Sequence, residues 1–208
     1  MQVVENSGII GFQNSGSIQI QQTSLIFNVS GYDLKRFGII GYATQYCTSI
    51  DLTNIKTLTI FTFSGPSSYG DIGGLLGYIS AQSTIIRNAI ITYSNENMNF
   101  NLSSGGLVGW TGFNSISIIN TKILNSNICS LLYAGGFIGT DRAYQTNITS
   151  STIQKVYIFS NELGIITGQT VAYGIYNIQL SKSIEIYINT ILQADCGNLS
   201  NTWSITQC

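Results

Sequence analysis

Nine carboxylates and four cysteines are the side chains of this 208-residue chain best equipped for chemistry, and there is no histidine. Without an imidazole, neither a Ser-His-Asp nor a Cys-His arrangement can be assembled. Acid–base work would fall to a pair of carboxylates drawn from Glu5, Asp33, Asp51, Asp71, Glu96, Asp141, Glu162, Glu185 and Asp195. The cysteines are Cys47, Cys129, Cys196 and Cys208. None forms a C-x-x-C, so zinc-site spacing is absent. Cys196 and Cys208 bracket the polar tail "CGNLSNTWSITQC" and are expected to form a local disulfide. Cys47 and Cys129 lie in apolar surroundings and read as small buried hydrophobes.

Whether any of these groups meet depends on what positions them. The stretches "SGIIGF", "FGIIGY", "GGLLGY", "GGLVGW" and "GGFIGT" recur along the chain. The glycines opening each G-x-x-G are Gly8, Gly38, Gly74, Gly106 and Gly136, at intervals of 30, 36, 32 and 30, and a degenerate "GIITG" begins at Gly164. A period near 31 is the signature of a stacked array. Between the glycines, runs such as "SIQIQQTSLIFNV" and "SISIINTKIL" alternate with a period of two and are rich in Ile, Thr and Tyr, which suit a pleated surface. About three short strands per repeat make one coil of a β-solenoid. The expected fold is all-β: a right-handed parallel β-helix of five to six coils over residues 1–192, followed by a tail, cap or junction over 193–208.

Stacking turns sequence repeats into ladders. The aromatic after the second glycine recurs as Phe12, Tyr42, Tyr78 and Trp110, and Thr140 breaks the series. The four rings are expected in equivalent positions of successive coils, about 4.5–7 Å apart. Facing inward they would be core, and facing outward a candidate carbohydrate-binding platform. The glycines would allow a sharp corner, a positive φ or close packing between coils. Counted from its own repeat glycine, only Asp33 at +25 and Glu162 at +26 nearly coincide. They stand four repeats apart, roughly 19 Å at about 4.8 Å per coil. No catalytic pair, metal site or cofactor site is expected.

Charged residues make up 8% of the chain, with net charge −1, and Lys and Arg are scattered. That excludes a basic nucleic-acid surface and favours association. No run is long enough for a membrane span, and "MQVVENSGII" is not a leader peptide. Any leader is expected elsewhere in a longer chain. Sequons stand at Asn28, Asn101, Asn147 and Asn198, but 19 Asn and 45 Ser plus Thr in 208 residues give about four by chance, so they are permitted sites only.

The "GGLLG", "GGLVG" and "GGFIG" cores, each followed by alternating Ser/Thr/Asn/Ile strands, resemble GLUG-motif repeats of large bacterial and protist surface proteins. The resemblance runs from Gly8 to about Ile191. It implies a β-helical segment with a surface, secreted or adhesive role. The low charge and the repeat favour a non-enzymatic structural or adhesive segment, as a rigid spacer or filament subunit, the aromatics favour the alternative of a carbohydrate-binding module, and a polysaccharide-active enzyme is less favoured. Partners are then further copies or neighbouring domains stacked on the solenoid ends.

Overall fold

A computed structural model describes residues 8–30, 35–62, 70–95, 103–112, 114–160, 162–164, 166–170, 175–180, 185–188 and 191–193. Among them there are twenty-one strands and no helix. The chain winds through three parallel sheets in turn and forms a β-solenoid of about four turns.

The first sheet, here the ring sheet, stacks Ile10–Gln13, Ile40–Ala43, Leu76–Ile79, Val108–Thr111, Ile138–Asp141 and Thr167–Thr170. A short sheet stacks Arg36–Phe37, Asp71–Gly73, Ser103–Gly105, Tyr133–Gly135 and Glu162–Gly164. A bent sheet holds Gly16–Ser30, Cys47–Thr62, the pairs Ser83–Arg87 with Ile90–Asn95 and Ser115–Ile119 with Lys122–Cys129, then Gln145–Phe159, Ile175–Leu180 and Glu185–Ile188. Its last strand, Ile191–Gln193, runs antiparallel to Glu185–Ile188, the one antiparallel pairing among the described residues. Fewer turns form than the five to six expected, because not every glycine motif opens a full coil. In the first coil, residues 8–30 supply strands to the ring and bent sheets only. In the last, Gly164 pairs in register with Gly135 and Thr167 with Ile138, so Gly164 takes the place of the first glycine of "GGFIG" and does not open a sixth G-x-x-G.

The core follows from period-two alternation. Ile20, Leu52, Ile86, Ile118 and Ile148 form one ladder, and Ile91, Ile123 and Ile153 another. Apart from Ile20 at the first rung, all are fully buried, each contributing about 1.5–3 kcal/mol. Beyond the first motif, where Ile9 is exposed, the large apolar pairs of the glycine motif go further than one side in the core: Ile39–Ile40, Leu75–Leu76, Leu107–Val108 and Phe137–Ile138 are all completely buried. The first of each pair lies in the bend between sheets and the second opens a ring-sheet strand.

The repeat glycines serve close approach. Of the described glycines only Gly8 and Gly16 have a positive φ. A Cβ on Gly106 would overlap the Gly136 carbonyl of the next coil, and one on Gly109 would overlap the backbone of Ile72 in the short sheet. Ring and short sheets thus meet backbone to backbone. The left-handed residues stand elsewhere, in the bent sheet: Asn125 and Lys155 within its strands Lys122–Cys129 and Gln145–Phe159, and the others at its corner. Gln22, Asn54, Asn88, Asn120 and Ser150 all have φ between 48° and 57°, and the pairing on either side puts them in one ladder. Asparagine tolerates this conformation better than most residues.

Candidate binding surface: the ring ladder and the Arg36–Asp71 pair

Phe12 pairs with Tyr42, Tyr42 with Tyr78, and Tyr78 with Trp110, each as direct neighbours in the ring sheet. Ring centroids are 5.3, 5.0 and 4.1 Å apart in succession. The rings stand on the outer side: Phe12 is 53% exposed, and the other three are half-buried. Their mutual geometry decides what they can do. Tyr78 and Trp110 are stacked within 9° of parallel, and Tyr42 meets Tyr78 edge to face. The Arg36 guanidinium lies 4.5 Å from the Tyr42 centroid and 4.9 Å from that of Tyr78, and Arg142 lies 5.6 Å from Trp110. These are cation–π distances. Ring faces are therefore largely taken up by other rings and by guanidinium groups, which leaves mainly edges and the face of Phe12 to the outside.

The ladder ends at Thr140 for a reason visible in the next sheet. Thr140 is buried and accepts a hydrogen bond from Ser103 Oγ at 3.0 Å. Ser103 Oγ also lies 2.6 Å from the Gly109 carbonyl, so the two acceptors share its one proton. A ring at position 140 would displace this junction between the ring and short sheets.

Ser103 belongs to a short-sheet ladder that reads Arg36, Asp71, Ser103, Tyr133 and Glu162. This register corrects the carboxylate alignment. Asp33 lies outside the described residues, and the residue sharing a ladder with Glu162 is Asp71. Counting forward from a glycine fails because the connections between sheets vary in length. Asp71 and Glu162 stand three coils apart, and no described acid is the ladder neighbour of another. Asp71 is 8% exposed, and its Oδ1 has no hydrogen-bond partner. Burial pushes its carboxyl up to about 7, against the pull of the neighbouring Arg36. Burial likewise raises the Tyr78 hydroxyl, a hydrogen bond with Ser80 lowers it, and Tyr42 and Asp71 add to the rise. Asp141, by contrast, is buried and well satisfied: Thr111 Oγ1 and Thr146 Oγ1 donate to it at 2.7 Å each, and the Ala143 N–H at 2.9 Å.

The corner of the bent sheet carries a second polar ladder. Asn88 Nδ2 donates to Asn54 Oδ1 at 3.0 Å, and Asn120 Nδ2 to Asn88 Oδ1 at 2.9 Å. The signal lay in the sequence, as asparagines 34 and 32 residues apart, in the period of the glycines. The pair Arg36–Asp71 left no such trace.

Cys47 and Cys129 are buried, unbridged thiols, and burial pushes the Cys47 thiol up. Asn28 is exposed on the strand Gly16–Ser30, and Asn147 is half-buried between Ser117 and Asn177. Asn101, Asn198, Cys196 and Cys208 lie outside the described residues. No group of three or more potential metal ligands occurs among those described. No family model matches this chain, and no curated protein and no solved structure matches it.

Proposed function

We propose that this chain is a non-enzymatic structural and adhesive repeat segment of an extracellular or cell-surface protein of the GLUG-repeat kind, working as a rigid spacer or filament subunit. One observation carries the reading: the side chains best suited to ligands are engaged along the solenoid axis. Tyr78 stacks on Trp110, Arg36 contacts Tyr42 and Tyr78, and the asparagine amides bond coil to coil. Each such contact resists separation of neighbouring coils, which is what a load-bearing segment needs. Pulling the chain along its axis by force spectroscopy is the test. Stepwise release of coils at high force is expected. Unravelling of the whole chain at forces near the noise would overturn the reading.

The alternative is a carbohydrate-binding module, favoured by the exposed face of Phe12 and the outward edges of the ladder. Its test is titration with neutral oligosaccharides, followed through tryptophan emission and compared between the native chain and Trp110→Phe. Saturable quenching lost in the variant would favour this module over the spacer.

A further inference from the structure

We propose that the indole of Trp110, the notch that Thr140 leaves beside it and the Arg142 guanidinium form a subsite for an acidic sugar, whose ring lies on the indole and whose carboxylate pairs with Arg142. This deepens the carbohydrate-binding alternative and rests on it.

Three departures from the repeat converge on this one rung. The first is the break in the ring ladder. Trp110 has Tyr78 as its ladder neighbour on one side and Thr140 on the other. Tyr78 stacks on the indole at 4.1 Å and covers the face toward the earlier coil. The face toward the later coil meets no ring. Thr140 is small and buried there, and the rung after it is the half-buried Gln169. One missing ring leaves a space about 4.8 Å deep along the axis, which suits a single ring-shaped ligand. The second departure is Gly112. Thr44, Ser80, Gly112 and Arg142 each stand two residues after a member of the ring ladder, and only Gly112 lacks a side chain. A Cβ there would overlap Ser80 Oγ and come within 3.0 Å of Trp110 Cζ3. The glycine thus gives the indole room to lie over the strand.

The third departure is Arg142 itself, which selects the ligand. Its guanidinium lies 5.6 Å from the indole centroid, near the outer limit of a cation–π contact, whereas Arg36 approaches Tyr42 and Tyr78 to 4.5 and 4.9 Å. Arg142 is exposed and has no carboxylate partner among the described residues. Its backbone, by contrast, is fixed. The Arg142 N–H donates to Thr111 Oγ1 at 3.0 Å, and that hydroxyl donates to the buried Asp141, which also accepts from Thr146 and from the Ala143 N–H. A rigid turn therefore carries a cationic head that can leave the indole for a better partner. The electron-rich face of an indole takes the C–H face of a sugar ring, and a guanidinium matches a carboxylate with two parallel donors. Neither ladder neighbour of Thr140 is acidic, and the adjacent Asp141 is turned inward and satisfied. A neutral sugar would leave Arg142 unused.

The test is calorimetric titration of the full 208-residue chain with two probes: an oligosaccharide of a uronic acid, and the same oligosaccharide with its carboxyl groups reduced to alcohols. The native chain is expected to bind the acidic probe roughly tenfold more tightly or better, since a hydrogen-bonded charge pair is being added to the same ring contact. Arg142→Gln should abolish that preference and leave the affinity for the reduced probe unchanged. Trp110→Phe should weaken both. Arg142 is exposed, and unchanged circular dichroism of its variant would confirm that folding is intact. Equal binding of the two probes by the native chain, or a preference for the acidic probe that survives Arg142→Gln, would overturn the acidic subsite and leave the carbohydrate-binding module standing. Binding of neither probe would overturn both.

Discussion

The coil changes direction in two ways, and the two regions use opposite properties of small residues. Between the short and ring sheets the chain turns through paired glycines, none of which from Gly38 to Gly168 has a positive φ. Between the arms of the bent sheet it turns through Gln22, Asn54, Asn88, Asn120 and Ser150, all left-handed and none of them glycine. The glycine region needs room, because the backbone of one sheet lies where a Cβ would be. The asparagine region needs a backbone angle, and it faces water, so a side chain has space and can bond to the next coil. A glycine motif in a solenoid is thus a statement about packing distance, and the conformational demand is met elsewhere.

The largest test of this contrast is Gly109→Ala. The added methyl would overlap backbone atoms of Ile72, Asp71 and Gly77, none of which is the end of a flexible side chain. We expect a loss of about 3 kcal/mol or more, read as a lower urea midpoint or failure to fold. Gly16→Ala supplies the opposite case: φ is +81°, and nothing lies within 4 Å of the new Cβ. Only the backbone term applies, about 1–2 kcal/mol. Equal costs at the two sites would break the distinction.

The same close approach sets the behaviour of Asp71. Close approach of the sheets buries its carboxyl, so its folded pKa stands at about 7 against 3.8 for the free side chain. A carboxyl raised on folding holds its proton more tightly in the native state. Its contribution is full below about 4 and is lost as pH rises through about 7, so the native chain should melt at a higher temperature at pH 5 than at pH 8. The span corresponds to about 2–4 kcal/mol. With no histidine in the chain, few other groups titrate in that window. Asp71→Asn should flatten the slope and stabilise the protein at pH 8. A native chain more stable at pH 8 than at pH 5 would show that Arg36 outweighs desolvation.

Much of this architecture was legible because stacking writes itself into the sequence as a period. The strands, the ladders of Ile and Leu, and the alignment of Phe12, Tyr42, Tyr78 and Trp110 all follow from glycines that recur. What escaped depends on register between different sheets. Arg36 and Asp71 are ladder neighbours although 35 residues separate them and the connection between their sheets changes length. Gly164 looked like a motif opener, yet one residue fewer follows Gly136 before the chain re-enters the short sheet. The asparagines at 54, 88 and 120 are periodic in plain view, but the spacing does not say which of the periodic residues takes the left-handed angle. Which way the rings' faces point could not be read at all, since it is set by Arg36 and Arg142 arriving from other strands.

The smallest effect sharpens the other half of the comparison. At Asn88 two contributions coincide: a left-handed φ of 51° and amide bonds to Asn54 and Asn120. Alanine removes the tolerance for that φ and both bonds, whereas glycine removes the bonds alone and suits the angle. The strain term is about 1 kcal/mol, and solvent-exposed amide bonds contribute at the low end of about 0.5–1.5 kcal/mol each. Asn88→Ala should therefore cost about 2 kcal/mol and Asn88→Gly about 1 kcal/mol, in urea titrations with unchanged m-values. If the corner exists to set the angle, glycine recovers half of the loss. If the ladder matters more, the two variants fall together, and Asn54→Gly combined with Asn88→Gly costs less than the sum, because the bond between those residues is lost only once.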